Sequence, residues 1–216
     1  MNRRACVCLL VGIGCLGATI AGAERSPRLE VTVRVYNTLA VAGHQLRTAE
    51  RTAGAVFDDA GITVRWRRCA WPQRPPIRPN DRCGAVLEPT ELVVRLVIAP
   101  TDVDPSVLGY SLVDGLTRTG TLSTIFADHL ERLAARVRLN RGTLLGLTMA
   151  HEIGHLLLGT NLHATEGLMR ARWTDETLRH RVTQEWQFSS AEISQLLSAV
   201  GARTTAAIAA PMLAPR

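Results

Sequence analysis

His151-Glu152-Ile153-Gly154-His155 decides how the rest of this chain is read. Two imidazoles four residues apart flank a carboxylate, the H-E-x-x-H arrangement by which two ring nitrogens share one zinc ion. On a helix, four residues rise about 6 Å and turn about 40° past a full circle, so His151 and His155 share a face. From that face both rings reach one ion at about 2.0–2.1 Å, and Glu152 meets a water beside it. The flanks predict the helix. Thr143 offers an N-cap, an apolar run from Leu144 to Leu158 follows, and Gly159 supplies a C-terminal stop. The run is apolar on nearly every side, which predicts burial on several sides. Gly146, Ala150 and Gly154 recur every four residues, a stripe of small side chains suited to close packing on a sheet.

Outward from the motif, periodicity sets the elements. Leu29, Val31, Val33 and Val35 alternate with polar residues, the period of a half-buried strand ending near Tyr36. Leu46, Ala49, Ala53, Val56, Phe57 and Ala60 share one helical face between Gly43 and Ala60, and Gly61 ends it. Ile62 to Trp66 alternates again, and Leu92 to Ile98 is a dense aliphatic strand suited to the centre of a sheet. Between them, 71–89 carries five prolines, too many for regular structure. Gly109 to Val113 and Thr121 to Phe126 read as a hairpin-like pair. Asp128 is placed to cap a helix reaching Leu139, with Glu131 in the capping-box position. Ser189 and Glu192 form a second capping box that opens a last helix, continued by Leu196, Leu197 and Val200. Beyond Gly201 the composition predicts a disordered Ala/Pro-rich tail, 201–216. One domain spans 24–200, with no internal repeat.

A catalytic zinc site takes three protein ligands and leaves one position open. His151 and His155 supply two; His163, Glu166 and Glu185 are the candidates for the third. A turn after Gly159 can fold the chain back and present His163, and a third neutral ligand keeps the site net positive, which favours ionising a bound water. His44, His129 and His180 have no comparable placement and read as surface residues.

His151 through His163, followed by Gly167-Leu168-Met169, resembles the metzincin metalloproteases, whose pattern is H-E-x-x-H-x-x-G-x-x-H with a downstream methionine turn. The resemblance implies that His151, His155 and His163 bind Zn²⁺, that Glu152 is the catalytic base and acid, and that Met169 lies in a turn beneath the metal. It also implies an α+β zincin-like domain, with a twisted mixed sheet of about five strands, an active-site helix and a C-terminal helix. Its specific part covers about twenty residues. Two departures stand out. Gly159 lies four residues after His155 in place of three, and His163 lies eight after in place of six. Arg170 follows Met169, where some family members carry a tyrosine.

The chain's ends and cysteines bear on where it works. Arg3-Arg4, the uncharged run from Ala5 to Ile20 and Ala21-Gly22-Ala23 fit a secretory signal peptide, 1–23, cleaved after Ala23. Cys6, Cys8 and Cys15 lie within that segment, leaving Cys69 and Cys83 as a natural disulfide in an exported, secreted or periplasmic protein. The net charge is +6, and all 25 basic residues are arginine. The basic stretch from Arg65 to Arg68 and on to Arg82 has no nucleic-acid motif beside it and reads as a solvated loop.

The reading that unites these features is an exported, monomeric zinc endopeptidase acting on a protein or peptide substrate, with no nucleic-acid partner and no stable membrane insertion after signal cleavage. The substrate would extend the edge of one of the strands before the motif helix. Two alternatives stay open: a zincin with a glutamate as third ligand, and a non-catalytic binding protein on the same scaffold. The intact Glu152 speaks against the second, because a structural metal needs no general base.

Overall fold

The computed structural model describes residues 29–70, 82–180 and 183–210. The expected signal segment with Cys6, Cys8 and Cys15, residues 71–81 of the proline-rich loop, and 211–216 lie outside them. In chain order the elements are β1 (Leu29–Asn37), α1 (Gly43–Asp59), β2 (Ile62–Cys69), β3 (Glu91–Val97), β4 (Gly109–Asp114), β5 (Thr119–Phe126), α2 (Ala127–Val137), α3 (Arg141–Leu158), α4 (Asp175–His180) and α5 (Ser190–Ala209).

The five strands form one mixed sheet in the order β2-β1-β3-β5-β4. Its first four members are parallel, and β4 runs antiparallel to β5 at the edge. β1 sits between parallel neighbours, Val33 opposing Trp66 on one side and Leu92 on the other. Its alternation is that of a strand with one face in the core: Val31, Val33 and Val35 are fully buried. Parallel pairing of β1 and β2 demands a crossover, which α1 supplies. The fold is thus the α+β domain expected, with the motif helix and a C-terminal helix beside a five-stranded sheet.

The motif helix α3 packs on α1 and against β4 and β5. Its stripe of small residues faces α1 and the segment beneath the helix, a correction to the expected packing on the sheet. A Cβ at Gly146 would fall 2.6 Å from the Ala49 carbonyl oxygen and 2.6 Å from Thr52 Cβ, both in α1. Gly142 extends the stripe, since a Cβ there would meet the Gln45 carbonyl oxygen at 2.7 Å. At the other end, a Cβ on Gly154 would lie 2.8 Å from Met169 Sδ and 2.9 Å from Phe188 Cε1. Glycine is needed here for close helix approach, which outweighs its low helix propensity.

Three helix boundaries differ from the sequence reading. Asn140, rather than Thr143, caps α3: its side-chain oxygen accepts from the Thr143 amide at 3.1 Å. Asp128 does not cap α2, because β5 runs directly into the helix through Phe126. Its carboxylate accepts instead from the Ala99 amide at 2.9 Å and pairs with Arg132 at 3.1 Å. Finally, α5 continues through Gly201 to Ala209, where a disordered tail is expected. The alanines there favour helix. Arg203 also anchors the segment, donating to the carbonyls of Pro89 at 3.0 Å, Gly120 at 2.7 Å and Leu156 at 3.4 Å. The capping box of Ser189 and Glu192 is formed as expected.

Cys69, at the end of β2, is bonded to Cys83. The neighbouring arginines lie on a strand and are individually matched to carboxylates, in place of forming an open basic loop. Arg65 pairs with Glu30, Arg67 with Glu91 at 2.5 Å, and Arg68 with Glu50. Arg34, buried within β1, pairs with Glu91 and donates to the Ala85 carbonyl at 2.7 Å, tying the return of the cystine loop to the sheet.

Candidate metal centre

His151 and His155 are buried on one face of α3, and His163 reaches them from the loop after it. Gly159 makes this possible in two ways. It ends α3 in the left-handed region at φ 64°, which L side chains rarely adopt. A Cβ there would also sit 2.2 Å from the Arg118 carbonyl oxygen in the β4–β5 turn. Residues 160–162 then absorb the longer spacing to His163. The Thr160 hydroxyl accepts from the Leu162 amide at 3.1 Å. The chain next closes on itself, with the Ala164 amide donating to the Met169 carbonyl at 2.9 Å.

The result is convergence. His155 Nε2 lies 3.0 Å from His151 Nε2 and 3.3 Å from His163 Nε2. His151 Nδ1–H donates to the Leu168 carbonyl at 2.9 Å, and His155 Nδ1–H to the Thr160 carbonyl at 2.8 Å. A carbonyl can only accept, so in each neutral ring the proton is on Nδ1 and Nε2 presents a lone pair. Burial holds all three imidazoles below their ordinary pKa, His151 at about 4, despite the opposing effect of these hydrogen bonds at His151 and His155. Two facing lone pairs with no proton between them repel one another; a cation between them removes that conflict. Tetrahedral coordination at about 2.0–2.1 Å places ligand nitrogens about 3.3 Å apart, close to the two spacings from His155 Nε2. The donor set therefore fits zinc, and the hydrogen-bonded Nδ1 atoms are the outer support that histidine ligands ordinarily carry.

Glu152 is buried beside the cluster. Burial pushes its carboxyl up to about 7, against the pull of a hydrogen bond from Ser111. Ser111 Oγ lies 2.7 Å from Glu152 Oε2 and 2.8 Å from the Glu152 carbonyl oxygen. Ser111 belongs to β4, so the edge strand and the motif helix are joined at the carboxylate itself. Close approach continues at Gly109, where a Cβ would stand 3.0 Å from Glu152 Oε1. Met169 is buried under α3 against Gly154. Trp173 supports the same segment: its indole N–H donates to the Leu168 carbonyl at 3.4 Å, and its ring meets His151 edge-on at 5.6 Å.

The other candidate ligands lie elsewhere. Among the described residues the metal-capable group consists of the three histidines. Glu166 is exposed outside it, and the Glu185 carboxylate stands 3.9 Å from Arg170. His44 is exposed as expected, but His129 is not a surface residue. It is buried, with Nδ1 donating to the Val107 carbonyl at 2.6 Å, because the loop before β4 folds over the first turn of α2. Beside His151 and Glu152 this loop helps to enclose a cavity of about 650 Å³. Ser111 and Trp173 were not singled out from sequence. Ser111 did carry a signal, being a polar residue at the inward parity of its strand; Trp173 carried none.

No protein-family model matches the sequence, and no curated protein does. Solved structures do match in fold. Archaemetzincin from Methanopyrus kandleri is 12% identical, with a TM-score of 0.52, over 82% of this chain and 99% of that one. A zinc-dependent peptidase from Methanocorpusculum labreanum is 14% identical, with a TM-score of 0.50, over 76% of this chain and 99% of that one. Metalloproteinase-II from Bacteroides fragilis is 14% identical, with a TM-score of 0.51, over 82% of this chain but 55% of that one. At such identities the likeness is one of fold.

Proposed function

We propose that this chain is a zinc-dependent endopeptidase of metzincin-like type that hydrolyses peptide bonds in proteins or peptides. The observation that carries the reading is the convergence of three imidazoles, two of them with Nε2 lone pairs turned inward, beside a buried carboxylate. His151, His155 and His163 would hold the ion, over a floor made by Met169. Zinc bound there supplies Lewis acidity, polarising the scissile carbonyl and lowering the pKa of a water.

The protein's own contribution is placement and proton transfer. Glu152 takes the proton from the attacking water and delivers it to the leaving amine. Ser111 holds the carboxylate at one oxygen, so that its orientation does not depend on substrate. The substrate chain would extend the exposed edge of β4, whose Tyr110 and Leu112 side chains are open to solvent. The 1–23 segment and the Cys69–Cys83 bond support export to an oxidising compartment. No helix among the described residues is long and apolar enough to cross a membrane.

Elemental analysis and cleavage of a random peptide library, with chelator as control, test the reading together. One zinc per chain and chelator-sensitive hydrolysis are expected. Glu152→Gln should keep the zinc and lose about 10²–10⁴-fold in rate, the span of general acid–base catalysis. A Glu152→Gln protein that cleaves at the wild-type rate would end the proposal. So would wild-type protein that binds zinc and cleaves nothing, which would favour a binding module.

A further inference from the structure

We propose that the 650 Å³ cavity beside His151 and Glu152 receives a carboxylate of the peptide substrate, carried on a residue next to the scissile bond and recognised by Arg170 and Arg172. This rests on the peptidase reading and adds to it a class of substrate.

The cavity opens where the reacting peptide would lie, since His151, Glu152 and His163 form part of its wall. Leu108, Leu133 and Trp173 give it an apolar lining that lowers the local dielectric and strengthens any charge interaction inside. Arg132, Arg136, Arg170 and Arg172 line it, whereas among the described residues the acidic side chains in its lining are Asp104 and Glu152. Two of the four are already engaged. Arg132 is paired with Asp128 at 3.1 Å and Arg136 with Asp175 at 3.1 Å.

Arg170 is held less well. Its side chain is 19% exposed, its Nη1 stands 3.3 Å from the Thr177 hydroxyl, and its nearest carboxylate, Glu185, is 3.9 Å away. Arg170 Nε and Glu185 Oε2 are both buried with no hydrogen-bond partner among the described residues. The Nε atom is closed off from solvent, so an incoming acceptor would be met by the terminal nitrogens of this partly exposed guanidinium, whose paired carboxylate stands beyond hydrogen-bond distance. Arg172 is exposed at the rim, where its charge acts on Asp104. Guanidinium forks match carboxylates in shape and donor geometry.

The carboxylate has two possible sources. A cavity of this volume admits an aspartate or glutamate side chain beside the cleaved bond. It also admits the last residue of a peptide, with its free C-terminus at the arginines. The recognition chemistry is the same in both.

The test uses the full-length, zinc-loaded chain, with Glu152→Gln protein for calorimetric binding and wild type for cleavage. One set of C-terminally amidated peptides carries Glu or Gln next to the scissile bond, on either side of it. A second set compares free and amidated C-termini one residue beyond that bond. Charge-assisted hydrogen bonds predict a binding preference of about tenfold or more for the charged member in at least one set. The preference should weaken in high salt and fall to about threefold or less in Arg172→Ala and in Arg170→Gln. Arg172 is exposed, so its variant should fold normally even if Arg170→Gln does not. Equal binding of charged and neutral members in both sets, preference for neutral or basic residues, or no binding of any peptide would overturn the proposal. A charge preference that survives in both arginine variants would do the same. If Glu152→Gln protein discriminates by charge while wild type cleaves nothing, the carboxylate site stands and the peptidase reading falls. Cleavage without discrimination has the opposite meaning.

Discussion

One substitution, glycine to alanine, should have opposite signs at two helical positions of this protein. In an unobstructed helix, Gly→Ala stabilises by up to about 1 kcal/mol, by lowering the entropy of the unfolded chain and raising helix propensity. At Gly201 in α5 nothing among the described residues lies within 4 Å of an added Cβ. The full gain should be realised there, raising Tm by about 2–4 °C. At Gly146 in α3 the same Cβ meets a backbone oxygen and a Cβ of α1, each at 2.6 Å. Neither can rotate away, so the helices must separate by several tenths of an ångström along their contact. Overpacking of this kind costs about 1–3 kcal/mol, and more where the backbone must shift. After the propensity gain, a net loss of about 1–2 kcal/mol and a fall in Tm of about 2–8 °C are expected. Circular-dichroism melts and urea titrations at fixed zinc concentration measure both, because bound metal would otherwise shift the apparent stability. A Gly146→Ala protein as stable as wild type would refute the claim that helix approach dictates this glycine. A destabilised Gly201→Ala would refute the propensity argument.

Ser111→Ala should lower kcat/KM by about tenfold at unchanged zinc stoichiometry, because the carboxylate loses the hydroxyl that orients it; steady-state kinetics with metal analysis checks this. Burial pushes the Glu91 carboxyl up, but hydrogen bonds from Arg34, the Glu88 amide and Arg67, with the charge of Arg34, outweigh it and hold it below the ordinary value. Its contribution to stability is therefore complete above the unfolded carboxylate range, near pH 4.5, and is lost as pH falls through the depressed folded value. Glu91→Gln, which strands the buried Arg34, should cost about 3 kcal/mol at neutral pH, and urea titrations should show that deficit shrinking in acid. Replacing Cys69 and Cys83 by serine should cost about 3 kcal/mol for a loop of this length, read from the urea midpoint.

Much of this architecture was legible because a single period dominated each segment. β1 alternates cleanly, α1 keeps one apolar face, and the motif helix carries its ligands at helical spacing. His151 and His155 were legible for the same reason; His163, in the loop beyond the helix, was one of three candidates, because the path of residues 160–162 depends on Gly159 meeting the β4–β5 turn, a contact between distant segments. The errors arose where tertiary contacts overrode local signals. Asp128 resembles a cap but serves the Ala99 amide across the sheet end. Gly201 resembles a terminus, yet Arg203 draws the helix onward by reaching three carbonyls. His129 looks like an ordinary polar position in a first turn until the loop before β4 closes over it. The direction of the glycine stripe was hidden too, since a row of small residues says that something comes near without saying what.

The partners that orient His151 and His155 are the main-chain carbonyls of Leu168 and Thr160. Side-chain exchange at those two positions leaves the acceptors in place, so point-mutation scanning there would report the core packing of Leu168 and the Thr160–Leu162 turn and conceal the role of the carbonyls. Insertions, deletions or prolines that redirect the main chain between 159 and 169 are the changes that would reach the tautomers. A search for distant proteins with the same centre should therefore weigh the spacing and path of that segment above the identity of its residues.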